Sequence, residues 1–261
     1  MSLDYKTISI TKEGAVGILT LNRPEILNAI NDELISELSI AIDRIAQDEQ
    51  IRVMILTGGN KVFAAGGDIK AMLEFGPLQA KKFVTPIHKV FNQITEMPKP
   101  TIAAICGFAL GGGVEMALTC DFRIAADNAK FGFPEINLGI FPAAGGSQRL
   151  PRLIGMAKAK ELMFTGDTID AGAALAIGLV NQVVPREELM ERAMKLAEKL
   201  SSKPPITIKN LKESMHNVFN TDINMGLNME IEKFCSLFAS EDQKEGMGAF
   251  IEKRKPDFKG R

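Results

Sequence analysis

The sequence predicts an α/β protein, a spiral of strand, glycine-turn and helix units followed by a helical C-terminal region. Three observations point there. The runs RVMILTG and TIAAI are continuously apolar over strand length, as strands buried on both faces are. Each leads through a glycine-rich turn into a helical pattern, first in GGNKVFAAGGDIKAM and again in CGFALGGGVEMALTC. Beyond about Glu187 strand-like runs stop and amphipathic helical patterns take over.

The elements follow in order. YKTISIT, the turn KEG and AVGILTL read as two strands of a hairpin. NRPEILNAI, with Asn22, Pro24 and Asn28, is a loop at the strand end, a common place for ligand contact. Asn31 and Asp32 open a helix from about Asp32 to Gln47, because Leu34, Ile35, Leu38, Ile42 and Ile45 recur at helical spacing. RVMILTG is a strand that exits into VFAAGGDIKAM, where a helix starts near Asp68. A further helix spans about Pro77 to Thr95 and MPKP ends it. TIAAI is a strand, CGFALGGG a glycine-rich turn, VEMALTC a helix, FRIAA a strand and AKFGFPE a strand-edge loop. A helix near Ala157 to Phe164 follows SQRLPRLIG, then a turn and helix in TGDTIDAGAALAIG and a short strand in LVNQVVP. ELMERAMKLAEKLSSKPP is an amphipathic helix stopped by Pro204 and Pro205. Helices near Ile206 to Phe219 and Ile223 to Phe238 carry apolar stripes that one helix alone cannot bury, and the final segment is helical until Pro256.

Composition narrows the function. With 261 residues, 46% hydrophobic and 24% charged, the chain is long enough to bury a sizeable core. A formal net charge of −1 argues against a dedicated nucleic-acid binder. The three cysteines, Cys106, Cys120 and Cys235, suit a reducing compartment rather than a disulfide framework. The polar start MSLDYKTISITKEG lacks the apolar core of a secretory leader, and no run reaches the ~18 apolar residues of a membrane span. A cytoplasmic location is expected, with a mature organellar form left open, and no membrane or nucleic-acid partner.

The chemistry concentrates between Cys106 and Arg149. FAAGGDIK and GFALGGGVE each place backbone N–H groups at a strand-to-helix turn. Two such groups converging on one point make an oxyanion hole, although either turn alone is accounted for by packing. Neither is followed by the Lys-Ser/Thr of a phosphate loop. Glu115 stands three residues after Gly112 in an otherwise apolar helical pattern, where a carboxylate is costly without a role or a partner. Glu135 follows a proline in GFPEINLG. A helix-end glutamate and a loop acid are the plain alternatives. Taken together, two oxyanion donors and two acids stabilise an enolate and move protons on neighbouring carbons. The two histidines, His88 and His216, lie far from any serine motif, and no Cys/His spacing suggests a metal. The residues therefore point to an activated carbonyl such as a thioester and name it no further.

The chain resembles the enoyl-CoA hydratase/isomerase (crotonase) superfamily over nearly its whole length. The resemblance is carried by LNRPEILNAI, VFAAGGDIKAM, the long segment from PKPTIAAICGFALGGGVEMAL to GGSQRLPRLIG, FTGDTIDAGAALAIGLVNQVV and the tail FASEDQKEGMGAFIEKRKPDF. The tail and both glutamates look most like the short-chain enoyl-CoA hydratases. This implies a crotonase-type spiral of ββα units over residues 1–190, holding the active site, and a C-terminal α-helical trimerisation region over 191–261. It implies a homotrimer or homohexamer acting on an acyl-CoA thioester, with no cofactor beyond the coenzyme A of the substrate. It implies that the N–H groups of Gly67 and Gly112 hold the thioester oxygen, that Glu115 orients water and that Glu135 handles the α-proton. Leu27, Ala65, Asp68 and Ile69 would border the CoA, with Phe250 and Lys253 enclosing it across a subunit boundary.

The implied activity is reversible syn hydration of trans-2-enoyl-CoA to 3-hydroxyacyl-CoA, as in fatty-acid β-oxidation or related acyl-CoA degradation. An enoyl-CoA isomerase and a hydratase for cyclic or branched acyl chains are the alternatives, with a non-catalytic RNA-binding member more remote. Three positions depart from the common pattern. Gly67 stands where alanine is frequent, Ala143 stands where the loop often reads Pro-Gly-Ala-Gly-Gly, with Phe141 before that proline, and Glu25 stands where a basic residue is common.

Overall fold

The computed structural model describes residues 5–261; the first four, part of the polar start read against a leader, lie outside them. β1 (Ile8–Glu13) and β2 (Val16–Leu21) form the expected antiparallel hairpin, with Ile8 opposite Leu21. α1 (Asp32–Gln47) begins where Asn31 accepts the Leu34 N–H, and its buried stripe includes Leu34, Ile35, Leu38, Ile42 and Ile45. β3 (Val53–Thr57), the short α2 (Ile69–Met72), α3 (Pro77–Thr95) and β4 (Thr101–Ile105) follow. Then come β5 (Phe108–Leu110), α4 (Gly112–Ala117), β6 (Phe122–Ala126) and β7 (Lys130–Gly132). α5 (Gly146–Ile154), α6 (Met156–Thr165), β8 (Thr168–Asp170), α7 (Ala171–Ala176) and β9 (Gln182–Val184) complete the strand-bearing part. The chain continues as α8 (Leu189–Ser201), α9 (Pro205–His216), α10 (Ile223–Leu237) and α11 (Glu241–Ile251).

The strands make two sheets. The larger runs β1-β2-β3-β4-β6-β9 and is parallel from β2 onward; the smaller is β5-β7-β8. The apolar runs of β3 and β4 are explained by their surroundings. Met54, Leu56, Ala103 and Ile105 face one core with α1 and α3, whereas Val53, Ile55, Ile102 and Ala104 face a second core with Leu189, Ala193 and Ala197 of α8. Both faces of the sheet are dry, which is why polar alternation is missing. The expected boundary at 190/191 falls inside α8, the helix that supplies this second core.

Four local expectations change. CGFALGGG is not all turn: Phe108–Leu110 pairs in parallel with Lys130–Gly132, which also makes AKFGFPE partly strand. α5 covers GSQRLPRLI, which reads as loop because Pro151 sits inside the helix. α2 is a single turn, capped by Asp68. The last helix stops at Ile251, before Pro256. Lys253 takes the left-handed conformation (φ 56°), and the N–H groups of Lys253 and Arg254 close on the carbonyls of Phe250 and Ala249.

Candidate active site

Two glycine turns meet because the segment after β3 runs beside β5. Phe63 and Ala64 donate to the Phe108 carbonyl, Leu110 donates to the Ala64 carbonyl at 2.9 Å, and Ala64 bridges Ala109 in parallel. Ile30 locks the first turn from the other side, donating to Gly66 O at 2.8 Å and accepting from Asp68 N at 3.1 Å. A Cβ built on Gly66 would lie 3.6 Å from Gly112 N, so the turns are in contact. Gly67 lies between these anchors, and its N–H has no acceptor among the described residues. Gly112 is the first residue of α4, where a helix leaves its N–H groups without intrahelical acceptors.

Glu115, in the first turn of α4, is 2% exposed. Its Oε1 accepts N–H bonds from Ala144 and Gly146, each at 2.7 Å. Burial pushes its pKa up to about 7; those two N–H groups and Arg149 pull it down, while Glu135 adds to the rise. Glu135 lies in the first turn of a 3-10 segment, Pro134–Leu138, and is half-buried. Burial raises its pKa as well. Its Oε2 is fully buried with no hydrogen-bond partner among the described residues. Such an oxygen is costly unless a ligand or water meets it.

Two further glycines make room for the acids. Gly111 has φ +51°, and a Cβ there would collide with Glu135 Oε1. A Cβ on Gly146 would stand 2.9 Å from Glu115 Oε1. The first glycine of GGG and the last of AAGG are thus required for the close approach of a carboxylate, not only for turning the chain.

The four expected catalytic positions, Gly67, Gly112, Glu115 and Glu135, are gathered around one point by α4 and its neighbours. The expected CoA-side residues divide. Leu27 and Ala65 are joined by the Ala65 N–H to Leu27 O bond at 3.0 Å, and Leu27 and Ile69 are exposed on the rim. Asp68 caps α2, its Oδ1 accepting from Lys70 and Ala71 at 3.1 and 3.2 Å. Phe250 and Lys253 are exposed on and just after α11. The tail that follows is tied to Arg52, at the start of β3, through the Phe258 carbonyl at 2.7 Å. That is the end of the strand opposite the glycine turns, and the structure does not bring these two into this chain's own site.

Sequence reasoning missed Ala144 and Gly146 as donors to Glu115, and it placed Asn28 in the strand-end loop without its tie to the neighbouring segment. The buried Asn28 amide donates to the carbonyls of Val62 and Phe63 at 3.1 and 3.0 Å, tying the 24–28 loop to the segment that leads to Gly67. The run of small residues AAGG directly before a helix was the available signal for the donors. Phe141 and Ala143, two of the departures from the family pattern, are both exposed, three residues and one residue before the donor Ala144. No group of three metal-ligating side chains occurs among the described residues.

A family model described as enoyl-CoA hydratase/isomerase matches residues 11–261. A short-chain-enoyl-CoA hydratase of Clostridium acetobutylicum is 46% identical over 261 residues, covering 99% of this chain and 100% of the relative. A crotonyl-CoA hydratase of Syntrophomonas wolfei is 46% identical over 255 residues, covering 97% and 98%. The crystal structure of an enoyl-CoA hydratase from Bacillus anthracis superposes with a TM-score of 0.94 at 42% identity, covering 98% of this chain and 100% of that one. Likeness at that level over whole chains makes the architecture the crotonase-type spiral.

Proposed function

The chain belongs to the enoyl-CoA hydratase/isomerase family, and we propose that it is an enoyl-CoA hydratase that adds water reversibly, in the syn sense, to trans-2-enoyl-CoA to give the 3-hydroxyacyl-CoA. The observation that carries the reading is the pair Glu115 and Glu135 beside the unpartnered N–H groups of Gly67 and Gly112. In this reading the thioester oxygen lies between the two N–H groups. As water attacks the β-carbon, charge moves onto that oxygen, and fixed donors stabilise it most where the charge is greatest.

Glu115, held by two N–H bonds to one oxygen, keeps its second oxygen for the water. Glu135 Oε2, buried without a partner, is placed for the proton that passes to the α-carbon. A redox-neutral addition of water calls for no cofactor beyond the CoA of the substrate. Leu27, Ala65, Asp68 and Ile69 would border that CoA. Phe250 and Lys253, remote from this chain's own site, would reach the site of a second copy in a homotrimer or homohexamer. A soluble enzyme of the cytoplasm or of an organelle suits a structure in which no described helix is long and apolar enough to cross a membrane.

Purified protein should consume crotonyl-CoA, read as loss of its enoyl absorbance. Glu135→Gln should slow turnover by roughly 10²-fold or more, the range for loss of a positioned acid or base. Full-rate hydration by that variant would overturn the assignment. Product analysis with 3-enoyl and ring substrates separates isomerisation and ring hydration from the proposed reaction.

A further inference from the structure

Glu115 depends on the turn that cradles it, and that turn is held by a side chain outside the reacting groups. The two N–H groups bonded to Glu115 Oε1 belong to the peptides preceding Ala144 and Gly146. The peptide between them carries the Ala144 carbonyl, and Arg149 Nη1 donates to it at 3.3 Å. Arg149 Nη2 reaches across to α3 and donates to Asn92 Oδ1 at 2.7 Å. The backbone N–H of Arg149 closes on the Gly145 carbonyl at 2.8 Å. The guanidinium lies against Gly145, at a place that a Cβ there would invade. One side chain thus ties the Ala144 carbonyl, in the middle of the turn, to α3 while packing against Gly145.

We propose that Arg149 is a positioning residue for Glu115, clamping the 144–146 turn against α3 so that two backbone N–H groups converge on one carboxylate oxygen. A planar fork suits the task, since it serves a carbonyl and an amide oxygen at once. The inference rests on the hydratase reading only for its effect on rate. The clamp also acts electrostatically. The charged groups facing Glu115 are Glu135, which opposes its ionisation, and Arg149, which favours it. Arg123, on β6, grips the other end of α4 through the carbonyls of Ala117 and Cys120. Removing Arg149 therefore leaves burial and Glu135 opposed only by two N–H bonds that are no longer held in place. Glu115 then takes up its proton at higher pH and is a poorer acceptor near neutrality.

The test reads Glu115 without turnover. Carbon-13 carboxyl titration of glutamate-labelled protein, with the resonance assigned through Glu115→Gln, gives its midpoint. Arg149→Met should raise that midpoint by roughly one pH unit. Arg149→Lys, which keeps the charge and loses the fork, should raise it by less. In kinetics, Arg149→Met should lower kcat for crotonyl-CoA by roughly 10²-fold through misplacement of Glu115. KM should stay near the wild-type value, and the acidic limb of kcat/KM should move with the NMR midpoint. Asn92→Ala removes only the anchor on α3 and provides the same readouts, with a smaller upward shift, should Arg149→Met fail to fold. A midpoint unchanged from wild type in whichever of these variants folds overturns the proposal. A shifted midpoint in a protein that lacks hydratase activity supports the clamp and overturns the hydratase reading instead.

Discussion

At the scale of single residues, Glu115 trades stability for chemistry. Folding moves its pKa from 4.5 to about 7, chiefly by burial. The folded state therefore binds the proton more tightly than the unfolded state, and stability falls as pH rises through that window. The loss is complete above pH 7 and on the order of 3 kcal/mol, taking about 1.4 kcal/mol per pH unit. Glu115→Gln removes the charge while keeping an oxygen for the Ala144 and Gly146 N–H groups. It should raise Tm at pH 8 and change it little near pH 4, measured by calorimetry, while hydration is lost. An equal change at both pH values would show that Glu115 is not destabilised by ionisation. The same residue then gives kcat/KM a limb that rises with pH through about 7 as it ionises.

At the scale of elements, the site is built where short pieces end. α4 is six residues long and α2 four, too short to be stable as isolated helices. α4 is held by Arg123 at its C-terminal end and by packing of every one of its residues. α2 has no buried residue and hangs on its Asp68 cap. Asp68→Ala should cost that turn about 1 kcal/mol. Because α2 borders the proposed CoA path, the effect should appear as a roughly five-fold rise in KM for the acyl-CoA, with the global Tm nearly unmoved. A Tm drop with unchanged KM would assign Asp68 to the core fold instead.

At the scale of the whole molecule, the strand-bearing part is covered on both faces, whereas the last helices are not. Ile223 is 73% exposed, Ile231 56% and Phe234 59% along α10. Exposed apolar side chains grouped along one helix are what an interface with another molecule would cover. The proposed homotrimer or homohexamer would cover them. Sedimentation velocity should report one of these masses for the wild type. Ile231→Glu, at an exposed helical position that tolerates glutamate, should shift the mass to smaller species without loss of helical content. A monomeric wild type would overturn the assembly.

How much could be read from the chain alone follows from the range of the forces involved. Strand and helix identity in β3, β4, α1 and α3 is written locally, in apolar runs and in stripes at helical spacing, so these elements were legible in order. The glycine turns and Glu115 were legible because a carboxylate within an apolar helix and repeated glycines violate the local pattern. β5 and α5 were not, since a three-residue strand exists only through its partner β7 and Pro151 disguises a helix that tertiary packing sustains. The sequence by itself determined the layered α/β architecture and the candidates Gly67, Gly112, Glu115 and Glu135. Only the tertiary structure decided that Ala144 and Gly146 hold Glu115, that Asn28 and Ile30 lock the loops leading to Gly67, and that Arg149 clamps the cradle to Asn92. Those are contacts between residues tens of positions apart, set by hydrogen-bond geometry across packed elements, and no local pattern of residue types encodes them.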